Sequence, residues 1–180
     1  MKILLHTCCA PCLIYPVKRL QDEGFKVKAF YYNPNIHPFS EYNRRKEALE
    51  TLSKELQVEI ESPEYRPSEF FQAINTKEAR PERCVICWSL RLGKTAKQAK
   101  EQGFDAFTST LLVSPYQDQE MLKVLGDQAA SEAGVRFYYE DFRPGFRKAK
   151  DQAKVKGIYM QKYCGCIYSE MERFILKKNA

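Results

Sequence analysis

Short apolar segments that are typical of β-strands alternate with helical segments along most of this 180-residue chain. The first is KILLH, residues 2–6, and Pro11 and Gly24 then favour a helix that runs to about Glu23. Repeated strand and helix units favour a parallel sheet with right-handed crossovers. The sequence therefore predicts an α/β fold. Further strands are predicted at residues 27–33, 58–61, 104–112 and 135–141.

The helices between these strands are predicted from apolar spacing and from residues that start or stop a helix. Ser40 is a suitable N-cap for a long helix after the second strand. A helix that begins near Cys84 is stopped by Gly103, and another runs from about Asp118 to Ala133. SEFFQAI, residues 68–74, predicts one or two further helical turns.

Length and apolar content predict one domain that spans residues 1–180. A chain of this length, 44% apolar, buries about 70% of its unfolded surface and needs no metal or disulfide for its core. No apolar run approaches the roughly 20 residues that cross a bilayer, and MKILLH leads into cysteines rather than into a secretory apolar region. We therefore expect a cytoplasmic protein with no membrane association.

The predicted sheet also indicates where a functional site would lie. Ligands of open parallel sheets bind outside the carboxyl ends of the strands. HTCCAPC, residues 6–12, follows the first strand, and STLLVSPYQ, residues 109–117, follows a later one. We expect these two loops to reach one crevice.

Seven cysteines are present, an odd number that makes a poor disulfide framework. In a reducing compartment, clustered cysteines are more typical of metal ligands or redox catalysts. The cysteines form three groups along the sequence: a first group of Cys8, Cys9 and Cys12, a second group of Cys84 and Cys87, and a third group of Cys164 and Cys166.

The second group has the spacing of a metal-binding pair. Two cysteines three residues apart at a helix start can direct both sulfurs at one metal, and the helix N-terminus and Arg83 favour thiolate. Two ligands from the first group would complete a four-thiolate site. Such a site suits either zinc or an iron-sulfur cluster.

The third group is separated only by Gly165, which is too short for a relaxed disulfide. Such a pair is easily reduced and suits a redox relay, although with Cys12 it could instead bind another metal. A third interpretation starts from CAPC, residues 9–12, whose two cysteines match a thioredoxin-like dithiol oxidoreductase. That interpretation leaves Cys8 and the other two groups without a role.

The net charge of +6 is moderate, so the placement of the cations matters more than their number. Arg143 to Lys162 interleaves cations with aromatic side chains, as single-stranded or loop RNA requires. A solvated basic helix face explains this segment equally well. With the cysteine pairs it also allows a zinc-stabilised RNA-binding module. Arg80, Arg83 and Arg91 are expected on the same surface.

Four motifs together, in this order, resemble the QueH-type epoxyqueuosine reductases over nearly the whole chain. They are HTCCAPC, RCVICWSLRL, STLLVSPYQ and YCGCIYSE. The resemblance implies a cytoplasmic enzyme of queuosine biosynthesis that removes the epoxide oxygen from epoxyqueuosine at the anticodon wobble position of tRNA. It implies no cobalamin and an external electron donor. It also implies a Rossmann-like parallel sheet with flanking helices, similar to the adenine-nucleotide hydrolases.

The resemblance also assigns roles to the cysteines. Cys8, Cys9, Cys84 and Cys87 match the ligands of a 4Fe-4S cluster, and Cys164 with Cys166 match a redox-active pair. The family includes members with an aspartate at the position of Cys12 and a second, mononuclear iron beside the cluster, so the resemblance makes Cys12 a candidate ligand for such an iron. Four candidate proton donors accompany these residues, each more readily explained as structural: His6, Tyr116, Tyr163 and Tyr168.

Overall fold

The computed structural model describes residues 1–175, in which five strands form one sheet in the order β3-β2-β1-β4-β5. Each neighbouring pair of strands is parallel. The predicted Rossmann-like parallel sheet is therefore confirmed. The strands are β1 (Lys2–His6), β2 (Lys26–Phe30), β3 (Glu59–Glu61), β4 (Ala106–Ser109) and β5 (Arg136–Phe137).

Seven α-helices accompany the sheet within residues 1–175, and the helices predicted from the sequence are among them. The last two, α6 and α7, follow the sheet and carry the basic segment and the end of the third cysteine motif. The helices are α1 (Ala10–Asp22), α2 (Phe39–Leu56), α3 (Pro67–Ala73), α4 (Glu82–Glu101), α5 (Gln119–Ala133), α6 (Phe146–Val155) and α7 (Ile167–Ile175).

The strands predicted at 27–33 and 135–141 end earlier, at Phe30 and Phe137. Two further predicted boundaries are wrong for local reasons. The strand expected at 104–112 ends at Ser109, because the Ser109 hydroxyl accepts a hydrogen bond from the Leu111 amide at 3.1 Å and the chain enters a 3-10 turn, Thr110–Val113. Ser40 is not an N-cap, because α2 already begins at Phe39 after Pro38. Asp118 does cap α5, since its carboxylate accepts from the Met121 amide at 2.9 Å.

The core lies on both faces of the central strand. Ile3, Leu4 and Leu5 of β1 are all fully buried. Successive side chains of a strand point to opposite faces, so protein must cover both sides of β1. Helix α4 packs against β1 and β4, and α1 packs against β2. Among the helices of residues 1–175, none has both the length and the apolar character needed to cross a membrane.

The strand order reverses direction between β1 and β4. From β1 the chain continues to β2 and β3 on one side, and β4 and β5 lie on the other. Such a reversal leaves a crevice outside the carboxyl ends of the two central strands. The loops after His6 and after Ser109 therefore begin at the position where this fold class binds its ligands.

Candidate metal and redox site

The loops after β1 and β4 meet, as the sequence predicted. The Cys8 amide donates to the Thr110 hydroxyl oxygen at 3.1 Å, and the same hydroxyl donates to the Cys8 sulfur at 3.4 Å. Thr110 begins the 3-10 turn that follows β4. The first cysteine group is therefore fixed at the reversal point of the sheet.

The three sulfurs of the first group all lie within 4.8 Å of one another. Cys9 is the extended residue before α1, and Cys12 is the third residue of that helix, so the helix start turns Cys12 back toward the loop. Cys9 is buried, and Cys8 and Cys12 are half-buried. Sulfur donors at this separation suit zinc, iron or an iron-sulfur cluster.

The three thiols of the first group affect one another's pKa. Hydrogen bonds from Cys12 and Cys9 hold the pKa of the Cys8 thiol well below its usual value of 9.0. The same interaction with Cys8 raises the pKa of Cys12 well above that value, and burial raises the pKa of Cys9. The metal-free group therefore stabilises one thiolate between two thiols. A cation is needed before all three sulfurs can be anionic.

The second group opens helix α4. Cys84 lies in its first turn, and the Cys84 amide donates to the Pro81 carbonyl at 3.0 Å. Cys87 follows one turn later and is buried, which raises the pKa of its thiol to about 12. Both cysteines lie outside the set of three sulfurs that are within 4.8 Å of one another. Their assignment as cluster ligands stays a prediction.

The third group lies beside the second. Cys166 is buried in a small apolar cluster that also contains Cys87, Phe70 and Ile74. Cys164 is exposed, and all seven cysteines are free thiols. The fold thus places the second and third groups next to each other although the sequence separates them by more than seventy residues.

Three arginine side chains are buried around these groups. Arg45 pairs with Glu41 at 2.7 Å, and Arg83 pairs with Glu172 at 2.6 Å. Arg91 donates from Nε to the Cys87 carbonyl at 3.2 Å. Their exposed fractions are only 1% for Arg45, 3% for Arg83 and 2% for Arg91.

The expectation that Arg83 and Arg91 lie on an RNA-binding surface is therefore wrong. Both residues share the inner face of α4 with Cys87, because positions four residues apart lie on the same side of a helix. That spacing was present in the sequence. Arginine is seldom buried, however, so composition pointed to the surface. Arg80 is exposed and pairs with Glu172 at 3.0 Å.

Gln161 is a site residue that sequence reasoning missed. Its side-chain amide donates to the Cys9 sulfur at 2.9 Å, and its buried Oε1 has no hydrogen-bond partner among residues 1–175. Gln117, from the loop after β4, approaches the Cys164 sulfur at 4.0 Å. Two amide side chains from distant segments thus face the cysteine sulfurs.

The candidate proton donors are largely held in structural contacts. His6 is fully buried, and its ring nitrogens contact the Ser109 hydroxyl at 2.9 Å and the Tyr32 carbonyl at 3.2 Å. Burial lowers the pKa of His6 to about 4, so the imidazole is neutral near pH 7. Tyr163 donates to the His37 carbonyl at 2.5 Å. Tyr116 differs, because it is 81% exposed.

The residues present suit an anionic, sulfur-ligated metal centre. The available donor atoms are cysteine sulfurs. The side-chain amide of Gln161 donates to the Cys9 sulfur, and the Thr110 hydroxyl donates to the Cys8 sulfur. Two arginine nitrogens, Nε of Arg83 and Nη2 of Arg91, are buried without a hydrogen-bond partner within residues 1–175. A buried cation next to sulfurs fits a centre whose own charge is negative.

Comparisons with known proteins agree on one family. The family model described as Epoxyqueuosine reductase QueH matches residues 3–172. The Epoxyqueuosine reductase QueH of Dehalococcoides mccartyi is 42% identical over 174 residues, which cover 96% of this chain and 94% of that protein. The Thermotoga maritima protein of the same name is 35% identical over 179 residues, covering 95% and 91%.

A solved structure supports the fold independently. It is described as a predicted subunit of tRNA methyltransferase from Methanocaldococcus jannaschii, and it aligns with a TM-score of 0.59 at 9% identity. The alignment covers 99% of this chain and 88% of that one. At this level of identity the likeness concerns the fold alone.

Proposed function

Because this chain belongs to the QueH family of epoxyqueuosine reductases, which are oxidoreductases, we propose that it converts epoxyqueuosine to queuosine at the wobble position of tRNA. The observation that carries the mechanistic part of the proposal is the first cysteine group, whose three sulfurs lie within 4.8 Å at the reversal point of the sheet. Sulfur donors of this kind hold redox-active metals.

The reaction requires two electrons and two protons. The epoxide oxygen leaves as water, and its two carbons become an alkene. Two thiols that form a disulfide release two electrons and two protons, which is what one epoxide reduction consumes. A 4Fe-4S cluster, when bound, supplies one-electron transfer at low potential.

Cys8, Cys9, Cys84 and Cys87 are the proposed cluster ligands. The position of Cys8 and Cys9 in the three-sulfur group supports half of this set. The place of Cys84 in the first turn of α4, where a helix N-terminus favours anionic sulfur, and of Cys87 one turn later on the same helix supports the other half. Cys12 then remains as a ligand for a second, mononuclear iron, and its closeness to Cys8 and Cys9 supports that role.

Cys164 and Cys166 are the proposed redox-active pair. The exposure of Cys164 allows an external electron donor to reach it, whereas the burial of Cys166 beside Cys87 places the second thiol near the metal-binding groups. Oxidation of the two thiols to a disulfide balances reduction of one epoxide. The external donor would then restore both thiols.

Recognition of tRNA is proposed for the exposed surface of α6 and the neighbouring loop. Helix α6 carries Arg147, Lys148, Lys150 and Lys154 against one acid, Asp151. None of these four cations forms a salt bridge within residues 1–175. Tyr116 packs edge-to-face on Phe146 at 5.9 Å, and the Lys150 ammonium lies 5.3 Å from the same ring. Cations beside an exposed aromatic ring suit an unstacked RNA base and its phosphates.

We propose that residues 1–180 form a single reductase domain that acts in the cytoplasm. The match of the family model to residues 3–172 supports one domain. Seven free thiols are in keeping with a reducing compartment.

The deciding experiment measures iron, acid-labile sulfide and zinc in protein purified without air, and then turnover on tRNA that carries epoxyqueuosine. We expect about four iron and four sulfide per chain and conversion to queuosine when dithionite is the reductant. Additional iron would support the second site at Cys12.

A cysteine variant separates the cluster from the redox pair. Cys164→Ser should keep iron and sulfide near the wild-type content and lose turnover. Full turnover of this variant would contradict the redox role of Cys164. Equimolar zinc in colourless protein would favour the zinc-stabilised RNA-binding module instead, and metal-free protein after anaerobic reconstitution would favour the thioredoxin-like dithiol oxidoreductase.

A further inference from the structure

Arg91 is a buried cation whose counter-ion is not a carboxylate. Its side chain is 2% exposed, its Nε is used by the Cys87 carbonyl, and its Nη2 has no partner within residues 1–175. No carboxylate among these residues forms a salt bridge with it. A full charge in the interior is strongly unfavourable unless an opposite charge compensates it.

The other two buried arginines of the site show the usual solution. Arg45 is compensated by Glu41, and Arg83 by Glu172, each through a hydrogen-bonded ion pair. Arg91 differs from both although it lies on the same face of α4 as Arg83. The contrast indicates that the negative charge opposite Arg91 comes from something other than an acidic side chain.

The groups that can supply this charge are the cysteine sulfurs. Burial works to lower the pKa of Arg91, whereas the neighbouring sulfurs of Cys87, Cys164 and Cys8 work to raise it, and the net direction is upward. These sulfurs represent all three cysteine groups. Arg91 therefore lies among the groups rather than beside one of them.

We propose that Arg91 is the counter-cation of the metal centre that the cysteines bind, and that its charge raises the reduction potential of that centre. The inference rests on the proposed function for the identity of the centre. One-electron reduction adds a negative charge to a sulfur-ligated cluster. A fixed positive charge in a low-dielectric interior stabilises the reduced form more than the oxidised form, which makes reduction easier. Arg91 thus acts through the centre and not on the substrate.

The test is a potentiometric titration of anaerobic holoprotein with dithionite, in which the electron paramagnetic resonance signal of the reduced cluster reports the midpoint potential. Arg91→Met and Arg91→Gln remove the charge, and Arg91→Lys keeps it. We expect both neutral variants to shift to a more negative midpoint and Arg91→Lys to stay close to the wild type. Lys97→Met removes one exposed charge from α4 and should leave the midpoint unchanged.

The outcomes separate this inference from the proposed function. A wild-type cluster together with unshifted midpoints in Arg91→Met and Arg91→Gln would overturn the inference alone. Wild-type protein without iron and sulfide would overturn both.

Iron content covers the case in which the neutral variants fail to fold or to load. Loss of iron from Arg91→Met and Arg91→Gln, with iron retained by Arg91→Lys, would support the inference, because the metal centre would then require a positive charge at this position. Equal loss from all three would show that the shape of the side chain matters instead, and would overturn the inference.

Discussion

Arg45 donates a hydrogen bond from Nη1 to the backbone carbonyl of Cys164 at 2.9 Å, across 119 positions of the chain. A second bond from Nη2 reaches the Tyr163 carbonyl at 3.1 Å. The same guanidinium is anchored by Glu41. One arginine of α2 therefore fixes the backbone that carries the third cysteine group.

Replacement of Arg45 should release this backbone and destabilise the fold. Arg45→Met leaves Glu41 buried without its partner, and breaking such a pair costs about 3–5 kcal/mol. Arg45→Lys keeps the charge but cannot donate to both the Cys164 and Tyr163 carbonyls as the guanidinium does, so we expect a smaller loss of unfolding free energy. Urea denaturation gives both values. Lys46→Met on the same helix, where the ion pair is partly exposed, should change stability by about 0–1 kcal/mol. Equal effects at the two positions would refute the role of Arg45.

Two helical glycines should respond in opposite directions to alanine. A Cβ at Gly126 of α5 would lie 2.2 Å from the Phe137 ring, so Gly126→Ala should overpack the core and cost about 1–3 kcal/mol. A Cβ at Gly93 of α4 would meet nothing within 4 Å. Gly93→Ala should stabilise the protein by roughly 0.5–1 kcal/mol, because alanine has the higher helix propensity. Thermal unfolding of the two variants checks this sign difference.

Tyr116 should contribute to tRNA affinity through its ring. Removal of a base-stacking side chain costs about 1–3 kcal/mol of binding free energy. Tyr116→Ala should therefore bind an anticodon stem-loop more weakly, with iron content unchanged, and Tyr116→Phe should bind like the wild type. Fluorescence anisotropy with labelled RNA measures both. Undiminished affinity of the alanine variant would exclude stacking on this residue.

The cations of α6 should make RNA binding dependent on salt. Each phosphate contact that is removed reduces the slope of log affinity against log salt by about 0.7–1. The double variant Lys148→Gln, Lys150→Gln should bind more weakly and with a shallower slope. Lys94→Gln with Lys97→Gln removes the same charge from exposed positions in the second half of α4 and serves as the control. Affinity that does not depend on salt would contradict the electrostatic part of the proposal.

Protonation of Glu61, in the edge strand β3, should lower the free energy of unfolding of the protein. Burial works to raise the pKa of its carboxyl, but Lys28 and the amides of Gln102 and Gln98 outweigh it and hold the pKa below its usual value of 4.5. The ionised form of Glu61 is therefore favoured in the folded state. This stabilisation is fully present at pH values above 4.5, and it is lost as the pH falls through the lower pKa that Glu61 has in the folded state.

Glu61→Gln tests this pH dependence. The variant should lose roughly 1 kcal/mol at pH 7 and nothing at the acid end of the transition. Glu59→Gln, at a side chain that is 74% exposed and also contacts Lys28, should lose less. Urea denaturation between pH 7 and pH 3 gives both differences, and a pH-independent loss at Glu61 would contradict the shifted pKa.

Local patterns in the sequence were sufficient for the elements of the fold. The apolar run KILLH and the helix stop at Gly24 are short local signals that can be read from adjacent residues. Strand β1 and helix α1 accordingly lie close to their predicted bounds. The meeting of Cys8 and Thr110 also followed from topology, because carboxyl ends of adjacent parallel strands share one edge.

The contacts that complete the site depend on long-range packing and could not be predicted in this way. Gln161 reaches Cys9 only because the segment after α6 returns to the start of α1. The burial of Arg91 depends on which face of α4 meets the sheet. Gln161 leaves no local pattern that marks it as a site residue. The four-residue spacing of Cys87 and Arg91 indicates a shared helix face but does not show whether that face is buried.

The hydrogen bond from Gln161 to Cys9 joins positions 152 residues apart, so Cys9 is synthesised well before its amide donor. Until Gln161 is synthesised and folds back, Cys9 lacks its amide donor, and Cys164 and Cys166 follow only three and five positions after Gln161. Chains are synthesised at about 5–20 residues per second, so the 152 positions between Cys9 and Gln161 take about 8–30 seconds. Assembly of the complete centre therefore requires a chain that extends at least to Cys166.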